Sequence, residues 1–386
     1  MQNFPQESPL RTFAPKMTAA TRGTVLLVGG GTGGHIYPNV GIVERLAARG
    51  HDAHHFLVSD RPSDAKILDA LEYPYTSSPA RPLPSTRKPW KALDFLAGWR
   101  RSTRQLMQLL DRESVGCVVA TGGFVSGPAV VAAARRKIPR VLVNLDAVPG
   151  QANRRLAGIC TKVFSAYPSE LLPDAERIGL PLRAVSVTDL SPEDARESLQ
   201  LDANRPTLFI TGATHGAESL IKAMMAFVGS AERAAAFEGW QVFHQCGTFD
   251  VATLQAAYDD AGVKARVVDY TNQMGAAYRA STLVISRAGA GSVAEAWANH
   301  APTLFLPNPY HKDQHQRHNA EPMVQAGGAL LVTDHVDADA TAADLEEPLL
   351  RLLREEDARV AMTEAAAGSC PPDGAETVAA WIAENA

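Results

Sequence analysis

Only four of 386 residues are cysteine, and Cys117, Cys160, Cys246 and Cys370 are too far apart to make a CxxC pair. Neither a disulfide framework nor a zinc site is indicated, which fits a reducing cytoplasm. Long apolar runs are also missing. None approaches the ~18 residues a membrane span needs, and Met1–Gly23 holds no apolar core of signal-peptide length. Neither sign of charge is in surplus: 37 basic and 42 acidic residues leave −5, with a pI near 6.1. Proteins that grip nucleic acid through a basic face are more cationic, so nucleic acid is not an expected partner. Asp337-Ala338-Asp339 has DxD spacing, but it sits in a polar connector and reads as a solvated helix start. His311, His315 and His318 could share a helix face, yet no zincin motif accompanies them, and no metal is expected.

The chain does carry a 46% hydrophobic composition and a length beyond the ~250–300 residues at which one core stops growing. Short apolar segments at 24–28, 52–58, 115–120, 140–145 and 161–165 read as strands. Amphipathic segments at 38–49, 90–111, 127–136 and 151–157 read as helices between them. The alternation lapses over Pro181–Asp202, then resumes with strands at 207–210, 240–245, 265–269, 283–286, 303–306 and 329–332. Strands alternating with helices mean βαβ units and parallel sheets. The expected architecture is α/β: a mobile tail at 1–22, with Met17 as an alternative start, a first doubly wound domain at 23–185 and a second at 186–386. Ligands in such sheets bind where strands end, so the loops after strands carry the chemistry.

The first of these loops is Gly29-Gly30-Gly31-Thr32-Gly33-Gly34-His35, opening a helix expected at Pro38. Glycines admit close backbone approach, and a helix start offers free N–H groups to an anion. Gly29, Gly31 and Gly34 also match the dinucleotide spacing GxGxxG. A nicotinamide site needs an acidic residue ~20 positions on, and Asp60 is the nearest. Other glycine loops lie at Thr121–Gly127, Thr211–Ala217 and Arg287–Ser292. In the last, Arg287 offers fixed positive charge, and Glu295, one turn into the next helix, can accept bonds from a ribose diol. Asn308–Asn319 is a polar segment directly after a strand.

Taken in order, GGGTGGHIYP, TGGFVSGPAV, AVPGQANRRLA, GATHGA, HQCG, RAGAGSVAE and KDQHQRHNA make Thr24–Val332 resemble the MurG family of GT-B glycosyltransferases. The resemblance implies two Rossmann-like domains facing a cleft, with the acceptor on the first and a UDP-sugar mainly on the second. It implies an inverting transfer of N-acetylglucosamine from UDP-GlcNAc, without cofactor, to a lipid-linked muramoyl-pentapeptide at the cytoplasmic face of the inner membrane. Thr32, Gly33 and Gly34 would face the acceptor diphosphate. Arg287 and Glu295 would line the nucleotide site, and Gln316, with His315 beside it, would approach the donor sugar. Thr214 stands where the family has a serine near the donor phosphates, and Arg183 where it has an interdomain arginine. The family's HEQNAVPG reads VNLDAVPG here, with Asp146 for an asparagine, and its GGSQGA reads GATHGA. These departures keep other readings open: a divergent, silent paralogue that binds nucleotide sugar or lipid as a scaffold for other cell-wall enzymes, or a GT-B transferase with another lipid acceptor.

An inverting transfer needs a base for the acceptor hydroxyl. His35 is the titratable side chain of the first loop, and an imidazole near neutrality suits the task. Asp146 is the alternative. An undecaprenyl-linked acceptor also requires a peripheral contact with an anionic membrane surface. Arg81–Arg104 holds seven basic residues (Arg81, Arg87, Lys88, Lys91, Arg100, Arg101, Arg104) against Asp94 alone, interleaved with Trp90, Leu93, Phe95, Leu96 and Trp99. Two readings stand for it: a membrane patch, or a helix whose Leu96, Trp99 and Leu106 face the core.

Overall fold

The computed structural model describes residues 23–84, 90–212, 217–310 and 313–386. The expected tail, Arg87, Lys88, Thr214, His215, Gly216 and His311 lie outside them. In the first half, strands β1 (Thr24–Val28), β2 (His54–Ser59), β3 (Tyr75–Ser78), β4 (Val115–Ala120), β5 (Arg140–Asn144), β6 (Lys162–Ser165) and β7 (Glu176–Arg177) form one sheet. Its order is β3-β2-β1-β4-β5-β6-β7. Helices α1 (Gly33–Ala48), α2 (Pro62–Ala70), α3 (Lys91–Arg112), α4 (Ser126–Arg135) and α5 (Gln151–Leu156) connect the strands.

After α6 (Pro192–Ser198), strands β8 (Thr207–Thr211), β9 (Gln241–Gln245), β10 (Ala265–Val268), β11 (Leu283–Ser286), β12 (Thr303–Phe305) and β13 (Ala329–Leu331) form a second sheet, ordered β10-β9-β8-β11-β12-β13. Its helices are α7 (Glu218–Val228), α8 (Ala231–Ala235), α9 (Val251–Asp260), α10 (Met274–Ala280), α11 (Ala290–Ala298) and α12 (His315–Gln325). Helices α13 (Ala338–Arg354), α14 (Glu356–Ser369) and α15 (Gly374–Asn385) follow. The described strand pairs in both sheets are parallel.

Parallel strands covered on both faces read as unbroken apolar runs, because successive side chains enter two different cores. In β1, Val25 and Leu27 join one cluster, and Leu26 and Val28 the other. Strand order reverses between β1 and β4 and again between β8 and β11, so the carboxyl ends of these four strands, each followed by a glycine loop in sequence, lie at the two switch points.

Three expectations change. Helix α1 begins at Gly33 with Thr32 as its extended N-cap, and Pro38 lies inside it, where the ring forfeits only the bond to the Gly34 carbonyl. Gly33, Gly34 and His35 are therefore the helix's first turn. Strands β3 and β7 and helix α2 are additions. Both strands are edges, β7 is two exposed residues, and neither carries an apolar run. Finally, α15 leaves the second domain: Ala375, Val378, Ala379 and Ile382 complete the core of the first, and Asp373 pairs with Arg45 at 2.8 Å. Assigning all of 186–386 to the second domain thus fails for this helix, whose small apolar face fits α1.

Helix α3 divides along its length. Leu106, Leu109 and Leu110 are buried, whereas Trp90, Leu93 and Leu96 are 66%, 76% and 51% exposed. Trp99 is half-buried against Gly127. The reading that turned Leu96 to the core is thus corrected. Leu93, Leu96, Arg100 and Arg104 recur at the 3–4 residue spacing of one helix face, and that face meets solvent.

Candidate active site

The first glycine loop is held from both sides. Gly31, with φ +93°, adopts a conformation that favours glycine, and its amide donates to Asp64 Oδ2 at 2.7 Å. Asp64, fully buried at the start of α2, also accepts from the Ser59 amide and hydroxyl. Arg61 donates to the Gly31 carbonyl at 2.7 Å. Asp60, the residue a nicotinamide site would use, is instead exposed and paired with Arg81 at 2.7 Å. That leaves the GxGxxG spacing without its ribose partner.

His35 follows in the first turn of α1. Its carbonyl accepts from Thr121 Oγ1 (2.8 Å) and Asn39 Nδ2 (3.3 Å), both buried and fixed to each other, which sets the helix entry. Its ring packs on Gly122, whose φ of +118° and missing Cβ leave room for the imidazole. Burial lowers the His35 pKa below the usual histidine value. The Asp146 carboxylate opposes that shift, with smaller contributions from a Gly30 backbone hydrogen bond and Asp64.

Asp146 lies on the loop after β5, which is fixed by a buried polar chain. Asn144 donates to the Asp146 carbonyl (2.8 Å) and to Ser165 Oγ (2.9 Å), and accepts from Asn153 Nδ2 (3.1 Å). A contact from the other domain completes it. Asn319, fully buried in α12, donates to Asp146 Oδ1 (3.1 Å) and accepts from the Ala147 amide (2.8 Å).

Glu295, in α11, accepts from Ser186 Oγ of the interdomain segment at 2.8 Å. Burial raises its pKa, while the Ser186 bond and Arg183 work against the rise. The Arg183 guanidinium lies 4.0 Å from the centre of the Tyr37 ring. Tyr37 in turn hydrogen-bonds Tyr270 across the cleft, and its hydroxyl is pushed up to about 12, mainly by burial. Gln314, left-handed at φ +48°, turns the chain into α12. In the first turn of that helix, Gln316 Oε1 accepts from the Asn308 amide (2.9 Å), and the His315 ring lies 2.8 Å from Asp313.

One cavity of about 490 Å³ between the domains gathers Thr32, Gly33, Gly34, His35, Asp146, Arg183, Glu295, His315 and Gln316. Those are nine of the eleven residues named from sequence, and Thr214 lies outside the described residues. Arg287 lines an adjoining cavity of about 600 Å³ that shares Thr32, Gly34, Gly289 and Gln316 with the first. Its charge is met by that of Asp334 at 2.6 Å. Asp337 caps α13 by accepting from the Ala340 amide (2.9 Å), the structural use anticipated for the DxD triplet. Among the described residues no group of three or more His, Cys, Asp or Glu side chains is placed to hold a metal ion.

Sequence reasoning missed Asp64, Asn319, Ser186 and Asp334. Asn319 lay in the polar segment singled out at 308–319, and Asp64 carried a local hint as an acid two residues after the Pro that starts α2.

The N-terminal domain model of glycosyltransferase family 28 matches residues 25–165, and the C-terminal domain model matches residues 207–378. A protein of a Nocardioides species is 37% identical over 367 residues, covering 93% of this chain and 97% of its own length. It is named UDP-N-acetylglucosamine--N-acetylmuramyl-(pentapeptide) pyrophosphoryl-undecaprenol N-acetylglucosamine transferase. A protein of the same name from Clavibacter sepedonicus is 35% identical, covering 92% of this chain and 94% of its own. The crystal structure of Acinetobacter baumannii MurG aligns at a TM-score of 0.73 and 22% identity, over 94% of this chain and 99% of that one. The kitacinnamycin glycosyltransferase gives 0.63 at 16% identity, over 95% and 100%. At those identities the solved structures speak to the GT-B fold alone. With both family models matched and relatives aligned along nearly their whole length, the chain belongs to the MurG family of glycosyltransferase family 28.

Proposed function

We propose that this chain is an inverting transferase that moves N-acetylglucosamine from UDP-GlcNAc to undecaprenyl-diphospho-muramoyl-pentapeptide, converting lipid I to lipid II. The observation that carries this reading is the convergence of His35, Asp146, Arg183, Glu295 and Gln316 on one interdomain cavity. The acceptor occupies the first-domain side and the UDP-sugar the second. The uridine ribose meets Glu295, and the diphosphate meets the start of α11, where Gly289, Ala290, Gly291 and Ser292 line the cleft. Gln316 and His315 face the sugar. As the acceptor oxygen bonds to C1 and the C1–O bond to UDP breaks, neutral His35 takes the acceptor proton. The departing electron pair stays on the diphosphate, stabilised by backbone N–H groups. Asp146 favours the imidazolium that results.

A lipid-linked acceptor requires the first domain to meet a bilayer. No helix among the described residues is long and apolar enough to cross one. The exposed Trp90, Leu93 and Leu96 beside Arg100, Arg101 and Arg104 support a peripheral contact with an anionic surface.

Calorimetry with UDP-GlcNAc, followed by turnover on lipid-linked muramoyl-pentapeptide, tests the reading. Binding and turnover are both expected, and binding without turnover points to the silent paralogue. Glu295→Ala is expected to weaken UDP about 10-fold or more, since hydrogen bonds to a charged group contribute ~1.5–3 kcal/mol. Unchanged UDP affinity in a variant that melts normally removes Glu295 from the nucleotide site.

A further inference from the structure

Arg287, at the carboxyl end of β11, is boxed in. Its Nη1 donates to the carbonyls of Leu306 (2.9 Å) and Pro307 (3.4 Å), just beyond β12. Its Nη2 donates to Ser219 Oγ at 2.6 Å and lies 2.6 Å from Asp334 Oδ2, beyond β13. Ser219, in the first turn of α7, donates in turn to Asp334 Oδ2 at 2.7 Å. Asp334 Oδ1 accepts from the amide of Val336, itself left-handed at φ +67°. The Arg287 side chain is 8% exposed and that of Asp334 is closed to solvent.

A guanidinium whose terminal nitrogens are committed and whose charge is cancelled by a buried carboxylate adds little net field to the cavity beside it. It supplies geometry instead, joining the ends of three neighbouring strands to the first turn of α7. The cavity it lines lies between that turn (Ala217, Glu218, Ser219) and the start of α11 at Gly289.

We propose that Ser219 and Asp334 are positioning residues for the donor diphosphate. Through Arg287 they hold the starts of α7 and α11 at the separation at which both reach one anion. The inference rests on the UDP-sugar reading above and adds to it how the anion cradle is kept in shape. The uridine end, at Arg183 and Glu295, lies in the adjoining cavity and is not part of the clamp.

The test compares UDP with uridine. Ser219→Ala and Asp334→Asn, in the full chain, are expected to lose about 10-fold or more in UDP affinity by calorimetry. Uridine affinity, followed by saturation-transfer NMR, should stay within about twofold. KM for UDP-GlcNAc should rise in parallel while KM for the acceptor does not. Ser219→Thr, which keeps the hydroxyl, should restore UDP binding. If Asp334→Asn fails to fold, the two Ser219 variants decide alone. Equal losses for UDP and uridine, no loss for either, or tighter UDP binding by Asp334→Asn each overturn the clamp. The last result would mean that the freed Arg287 charge itself binds phosphate. A wild-type chain that does not bind UDP overturns the donor reading and the clamp together, whereas wild-type binding with indifferent variants overturns the clamp alone.

Discussion

Replacing His35 by alanine is expected to lower turnover about 10²–10⁴-fold, the usual contribution of a positioned general base, while leaving UDP affinity within about twofold. The acceptor proton then has no imidazole to receive it, whereas Glu295 and Arg183, the proposed nucleotide contacts in the same cavity, are untouched. The pH profile sharpens the test. A base works when deprotonated, so kcat/KM should fall as pH drops through the His35 pKa. Burial lowers that pKa, placing the acid limb below the ordinary histidine value of 6.5. The Asp146 charge pulls the other way, so Asp146→Asn should move the limb to still lower pH and retain much of the activity. If Asp146→Asn abolishes turnover and His35→Ala keeps it, the two roles are reversed and Asp146 is the base.

The second large effect concerns the membrane. Reversing Arg100, Arg101 and Arg104 to glutamate is expected to reduce binding to anionic vesicles by more than about 100-fold, because each cation near such a surface contributes ~1 kcal/mol and each reversal adds repulsion. The three side chains are exposed, so the fold and turnover on a short-chain, detergent-soluble acceptor should be retained. Co-sedimentation at low and high salt measures it, with wild-type binding that weakens as salt rises. Salt-insensitive binding, or equal binding by both proteins, would assign the exposed Trp90, Leu93 and Leu96 to another partner.

How much of this was legible in the chain differs from element to element. Each expected strand of the first sheet is present within one or two residues of its predicted limits, because a strand buried on both faces writes itself as a run such as Thr24–Val28. Glycine loops were readable for a similar local reason. At Gly31 and Gly122 the φ angles of +93° and +118° exclude most side chains, so the backbone's need appears as residue type. Edge strand β7 and helix α2 were not readable, since two exposed residues and a nine-residue, half-polar helix carry too little apolar pattern.

The amino-acid sequence by itself therefore determined the α/β class, the two doubly wound halves and the motif order that carries the family. Those features are written in spacings of a few residues. The tertiary structure alone decided which distant groups meet. Asn319 reaches Asp146 from 173 positions away, Asp64 lies 33 positions from the Gly31 amide it accepts from, and Asp334 lies 115 from the Ser219 hydroxyl. It also decided that α15 returns to cover α1, and that Arg287 is a brace with its charge cancelled. A hydrogen bond or ion pair imposes a partner and a distance but no periodicity along the chain. Residues joined in this way look, in sequence, like ordinary polar residues until folding brings the strand ends together.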